Sequence, residues 1–275
     1  MNMTVISAVF STRCIAISSD SFLTAYNNRT KKYEILEKQK TKIIRVERFT
    51  GAFSYWGLAA KSKDSKWTTY TWLSDIASKA QNFDQFDQYA EYVKNQLSIE
   101  IIRIGISNKD RGIGIHLVGY EEYDGMRIPE LFLITNFTDP SYSKTGEFSL
   151  SRNLFNKLPE ELRLGGESLS IHDKQLIVNN YLSKGKLFLF NNGDPAMFNT
   201  LFGGYSEAME LAKKRNIVKD SSDIELYRNM ARRPIEMVAK AQKDFYKEGN
   251  IIVGGRIHDL VIEKNSKRFS STSRD

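Results

Sequence analysis

Residues 4–24 read TVISAVFSTRCIAISSDSFLT, and the fold turns on this stretch. TVISAVF (4–10) is rich in β-branched residues, STR (11–13) is a polar break, and CIAIS (14–18) resumes the apolar pattern. That order predicts two strands around a short turn. Working outward, KTKIIRVERFTGAFSYWG (40–57) predicts two more strands with a break near Glu47–Arg48. Between them, AYNNRTKKYEILEKQK (25–40) is polar and charged, an extended loop or hairpin. The first quarter of the chain is therefore strand-rich.

The period then changes. Trp67, Tyr70, Leu73 and Ile76 recur at helical spacing, and Phe86, Tyr89, Val93 and Leu97 do the same. Two helices follow the opening strands. IGIHLVGYEEYDGMRIPELFLITNF (113–137) reads as a hairpin, with Asp124–Gly125 as its turn. Residues 138–160 read as loops with one candidate strand, and 172–194 mix apolar and turn signals. Asp194 and Pro195 mark a helix start. Residues 223–249 are helical with an interruption near Pro234, and NIIVGGRIHDLVIEKN (250–265) closes with a strand. The polar, basic stretch 265–275 is expected to fray as a tail beyond a single domain of residues 1–264. Runs of strands separated by runs of helices argue against a doubly wound parallel sheet. They predict an α+β fold: stacked antiparallel sheets covered by helices on both outer faces.

Composition limits the function classes. The chain has 275 residues, 41% of them hydrophobic, enough for a sizeable core. No apolar run approaches the ~20 residues that span a bilayer, and no basic segment precedes an apolar one at the start. A single cysteine, Cys14, excludes an internal disulfide framework and a cysteine-based zinc site. A reducing cytoplasm is the expected compartment. The formal charge of +7 would suit an anionic partner, but the basic residues are spread out rather than gathered in one stripe. No nucleic-acid-binding signature accompanies them. His116, His172 and His258 are scattered, and no metal or dinucleotide motif is present, so no metal or cofactor is expected.

Four positions in the opening could work together: Thr4, Asp20, Lys42 and Gly57. A threonine hydroxyl is a weak nucleophile and needs an adjacent base, which a free α-amine on the same residue can supply. A nearby ammonium such as Lys42 would lower that amine's pKa. Asp20 would fix Lys42, and a backbone N–H at Gly57 would donate to an oxyanion. Taken singly, each has a plainer reading: a β-former, a turn residue, a solvated lysine and a strand end.

The ordered set resembles the opening of proteasome β-type subunits of the N-terminal-nucleophile hydrolase superfamily, including bacterial members. Thr4, Asp20 and Thr24 stand at that family's separations, Lys42 precedes a strand and Gly57 ends one. VGGRIHDLVIEKN (253–265) is similar to the family's closing strand. The resemblance implies a four-layer αββα sandwich and Thr4 as nucleophile once it is the first residue. It implies that Thr24 offers its backbone to an extended peptide and that Ser54, with Phe53 and Tyr55, shapes the pocket before the cut. A peptide or protein substrate, a homo-oligomeric ring and an ATP-dependent unfoldase are the implied partners. The chain departs from the family at Asn192, where a supporting serine is usual, at Asn250 and Val253, where an Asp–Ser pair is usual, and at Trp56, where a small residue is usual. Those departures leave a second expectation open: a non-catalytic structural or assembly protein of the same fold, with Thr4 blocked by Met1–Met3.

Overall fold

The computed structural model describes residues 5–27, 32–37, 41–61, 66–106, 112–139, 142–192, 201, 203–205, 207–208, 211, 223–247, 253–266 and 268–274. The opening stretch forms β1 (Ile6–Phe10) and β2 (Cys14–Asp20), an antiparallel pair closed by residues 11–13. Ser11 fixes the turn: its Oγ accepts from the N–H groups of Arg13 (3.1 Å) and Cys14 (3.0 Å). Every residue of both strands is buried, which is why neither run shows a polar face. Ile6, Ala8, Phe10, Ile15 and Ile17 face one way, and Val9, Cys14 and Ala16 the other.

β1 and β2 are the middle of a five-stranded sheet. Its order is β10–β1–β2–β11–β12, with β10 (Phe188–Asn192), β11 (Ile257–Glu263) and β12 (Phe269–Arg274). A second five-stranded sheet contains β5 (Ile43–Val46), β6 (Gly51–Gly57), β7 (Ile113–Tyr123), β8 (Met126–Phe137) and β9 (Thr145–Arg152) in sequence order. All pairings in both sheets are antiparallel. β3 (Leu23–Asn27) and β4 (Lys32–Glu37) form the hairpin alternative expected of residues 25–40. The turn at Asp124–Gly125 has positive φ at both residues, 48° and 75°, the geometry a two-residue hairpin requires.

The two sheets share one apolar cluster, in which Ile6, Phe10 and Ile17 of the first meet Ile43, Trp56 and Val118 of the second. Helices cover the outer faces. On the second sheet, Phe53, Tyr55, Ile115 and Leu117 pack against α1 (Thr69–Lys79) and α2 (Phe86–Arg103). Thr68 starts α1 through a reciprocal cap: Thr71 N donates to Thr68 Oγ1 at 3.0 Å, and Thr68 N donates to Thr71 Oγ1 at 3.2 Å. The short α3 (Glu160–Arg163) precedes α4 (Ile171–Ser183), whose Val178 and Leu182 close the end of the inter-sheet cluster. On the first sheet, Val9, Ala16 and Val261 pack against Tyr227, Met230 and Ala231 of α5 (Ile224–Phe245). The α+β class and the two stacked antiparallel sheets with helical cover are thus present.

Three local expectations are corrected. The stretch 265–275 does not simply fray: residues 269–274 are β12, paired with β11 along its length. Pro234 does not interrupt α5, which runs through it. Proline removes one intrahelical hydrogen bond, but Ala231 before it and Ile235 and Val238 after it are buried, and Arg232 is pinned to Asp259. Residues 172–183 are one helix, started by Ser170, whose Oγ accepts from Asp173 N at 3.1 Å. The expected helix start at Asp194–Pro195 lies outside the described residues.

Two buried polar clusters tie layers together. Asp259 Oδ1 accepts from Ser18 Oγ (2.7 Å) and Arg232 Nε (3.3 Å), and its Oδ2 accepts from Thr272 Oγ1 (2.9 Å). This pins α5 to three strands of the first sheet. On the second sheet, Glu121 and Glu130 both pair with Arg152, at 3.4 and 3.3 Å. Gln175 of α4 donates through Nε2 to Tyr123 Oη at 2.9 Å and to Glu130. Burial, opposed by Arg152, pushes the Glu130 carboxyl up to about 7.

Candidate functional site

The first sheet's β2 ends at Asp20, and the second sheet's β5 is preceded by Lys42. The stacking brings these two ends together. Lys42 Nζ donates to Asp20 Oδ1 at 2.9 Å and to Phe22 O at 2.7 Å. Both side chains are fully buried. Asp20 is held by backbone as well: Oδ1 accepts from Val5 N at 3.1 Å, and Oδ2 accepts from Phe22 N and Gly254 N, each at 3.3 Å. The carbonyl of Val5 in turn accepts from Asp20 N at 3.3 Å. The expected Asp20–Lys42 contact therefore exists, and it grips the backbone of the residue that follows Thr4.

Burial lowers the Lys42 ammonium below its usual range, against the pull of Asp20. Burial likewise raises the Asp20 carboxyl, against Lys42 and the amides of Val5 and Gly254. An ammonium poised in this way exchanges a proton more readily than a solvated lysine.

The other expected site residues fall as follows. Thr4 lies outside the described residues, as do Met1–Met3 and Asn250. Thr24 is in β3, opposite Ile35 across the β3–β4 hairpin. Ser54 is on β6, directly opposite Ile43 of β5 and His116 of β7. It is fully buried, and its Oγ meets no partner among the described residues. Its neighbours Phe53 and Tyr55 point away from the inter-sheet space, into the cluster beneath α1 and α2. That corrects their expected place beside Ser54: successive side chains on a strand alternate faces. Gly57 ends β6 with φ 84°, and a Cβ there would lie 2.3 Å from Gly112 O. Backbone geometry by itself thus requires glycine at 57. Val253 is buried, and its N–H donates to Gln242 Oε1 at 2.9 Å.

Opposite Ser54, at His116, lies a contact that no local sequence signal marked. Asn192, at the end of β10, reaches across the sheets. Its Nδ2 donates to His116 Nε2, and its Oδ1 accepts from the Tyr142 hydroxyl. Trp56 packs on the same group, 5.0 Å from the His116 ring and 6.1 Å from Tyr142. Desolvation pushes His116 down to about 3, so its imidazole is neutral at ordinary pH. With Nε2 accepting, the ring proton sits on Nδ1, which meets no partner among the described residues. Cys14 is buried, and burial pushes its thiol up to about 12, the profile of core filler rather than a nucleophile.

His116 and Glu130 make opposite contributions to pH-dependent stability. The His116 value lies below the ordinary 6.5, so the folded state binds fewer protons and loses stability as pH falls from 6.5 toward 3. The Glu130 value lies above the ordinary 4.5, so the folded state gains stability as pH falls from 7 toward 4.5. Between pH 6.5 and pH 5 each is worth about 2 kcal/mol, and they largely cancel. In urea denaturation over that interval, His116→Asn is expected to grow more stable on acidification and Glu130→Gln less stable. Parallel profiles for the two variants would contradict both assignments.

No family model matches the chain, and no curated protein matches it. Among the described residues, no helix is long and apolar enough to cross a membrane.

Proposed function

We propose that the protein is an N-terminal threonine hydrolase that cleaves peptide or other amide bonds. The observation that carries this reading is the buried Asp20–Lys42 pair clasping the Val5 amide, one peptide unit from Thr4. Thr4, freed as the first residue, supplies the hydroxyl that attacks the carbonyl carbon. Its α-amine takes the hydroxyl proton and passes it to the departing amine, leaving an ester on Thr4; water, deprotonated by the same amine, then attacks that ester, and the proton returns to the Thr4 oxygen as the carboxylic acid leaves. Lys42 keeps that amine unprotonated by like-charge repulsion, and Asp20 fixes Lys42. A backbone N–H at the Gly57 end of β6 receives the oxyanion. Thr24 offers its backbone to an extended substrate as an added strand, and Ser54 faces the pocket. The N-terminal-nucleophile fold, a homo-oligomeric ring and a feeding unfoldase belong to the same proposal.

The test is hydrolysis of fluorogenic peptide amides by protein purified from its own host. The wild type is expected to turn over, and Thr4→Ala to fall by at least ~10³-fold with an unchanged circular dichroism spectrum. Equal activity in Thr4→Ala, or no turnover of any amide by protein whose chain starts at Thr4, contradicts the reading. The second outcome favours the non-catalytic assembly protein. Asn192 supports that alternative, because its amide is engaged by His116 and Tyr142.

A further inference from the structure

Lined by neither Asp20 nor Lys42, a cleft of about 640 Å³ opens between α2, β8, β9 and α4. That volume suits a small organic ligand. Leu154, Phe155 and Val178 supply an apolar wall. Glu130, Arg152 and Gln175 supply polar lining.

Two features of that lining are unbalanced. Glu121 and Glu130 share the single guanidinium of Arg152, so two carboxylates face one cation. Asp87 also lines the cleft, and its charge acts on Glu130 in the same sense as that of Glu121. The other cations of the lining are engaged: Arg163 Nε donates to Leu158 O at 2.9 Å, and the Lys174 ammonium stands 5.6 Å from the Phe155 ring centroid. Second, two buried polar atoms have no partner among the described residues: the acceptor Gln175 Oε1 and the donor Arg152 Nη1. Gln175 is only 2% exposed. A buried group without a partner costs stability, and a ligand that satisfies it recovers that cost on binding.

We propose that this cleft binds a small primary amine bearing an apolar side group and a carbonyl beside the nitrogen, the chemistry of an amino-acid amide. The ammonium supplies the missing positive charge beside Glu130 and donates to Gln175 Oε1. The carbonyl oxygen accepts from Arg152 Nη1. The side group covers Leu154, Phe155 and Val178. A free carboxylate on the ligand would instead add a third anion to the Arg152 cluster, so amides are preferred over acids.

The experiment is calorimetric titration of the full chain carrying Thr4→Ala with L-phenylalaninamide. Saturable binding of one molecule is expected. N-acetyl-L-phenylalaninamide, which lacks the charge, and L-phenylalanine, which adds a carboxylate, are each expected to bind at least ~10-fold more weakly. Glu130→Gln is expected to weaken the amide by at least ~10-fold. Ile171 lines the same cleft and is 51% exposed, so Ile171→Lys places a competing cation at the cleft without disturbing the core, and a similar loss is expected. No binding up to about 10 mM overturns the proposal, as does equal affinity for the acetylated probe. Binding indifferent to Ile171→Lys in folded protein overturns it too. Loss of binding in Lys42→Met but not in Ile171→Lys would assign the amide to the Thr4 site and overturn it as well.

Discussion

Asp20→Ala is expected to destabilise the protein by about 3–5 kcal/mol and to abolish amide hydrolysis. The stability loss follows from burial. Lys42 is fully buried, and Asp20 is its anionic partner. Removing one member of a buried pair leaves the other charge uncompensated, which costs more than the pair is worth. Asp20→Ala also strips an acceptor from the N–H groups of Val5, Phe22 and Gly254, and each abandoned donor costs about 1 kcal/mol or more. Adding Lys42→Met removes the buried ammonium whose carboxylate partner is gone. The double variant is therefore expected to be more stable than the sum of the two single changes by about 2 kcal/mol. Hydrolysis is not expected to return, because Lys42 is part of the proposed proton machinery. Additive losses in chemical denaturation would show that the two side chains do not form a coupled buried pair.

Asp259→Ala is expected to cost a similar ~3–5 kcal/mol with a different signature. Asp259 faces Arg232, which is 1% exposed, and gathers Ser18 and Thr272 around it. Its loss removes the carboxylate that a buried guanidinium faces between α5 and the first sheet. Nothing in that cluster belongs to the proposed chemistry. The denaturation midpoint should fall as far as in Asp20→Ala, while turnover per folded molecule stays at the wild-type level. A loss under about 1 kcal/mol would mean that α5 is held by its apolar face alone.

The readable parts of the chain were those where burial covers both faces or follows a regular period. β1 and β2 are apolar at consecutive positions because a sheet lies on one side and α5 on the other. α1 and α2 show their period because only one face of each meets the second sheet. The ends that meet at Asp20 and Lys42 were legible only as an ordered set, since their juxtaposition depends on how two sheets stack. α4 was obscured because its inward face includes the polar Gln175 beside Val178 and Leu182. β12 gave no apolar signal: it is an outer strand, and Ser271, Thr272 and Ser273 remain exposed. The helix runs through Pro234 because tertiary packing outweighs one missing helical hydrogen bond. The contact between Asn192 and His116 joins residues 76 positions apart, and no local pattern encodes such a meeting.

The proposed chemistry depends on a primary amine borne by the same residue that carries the attacking hydroxyl. Intact-mass analysis of protein isolated from its own host reads this directly. A mass corresponding to a chain that begins at Thr4 is the predicted result. A mass retaining Met1, Asn2 or Met3 in hydrolytically active protein would contradict it.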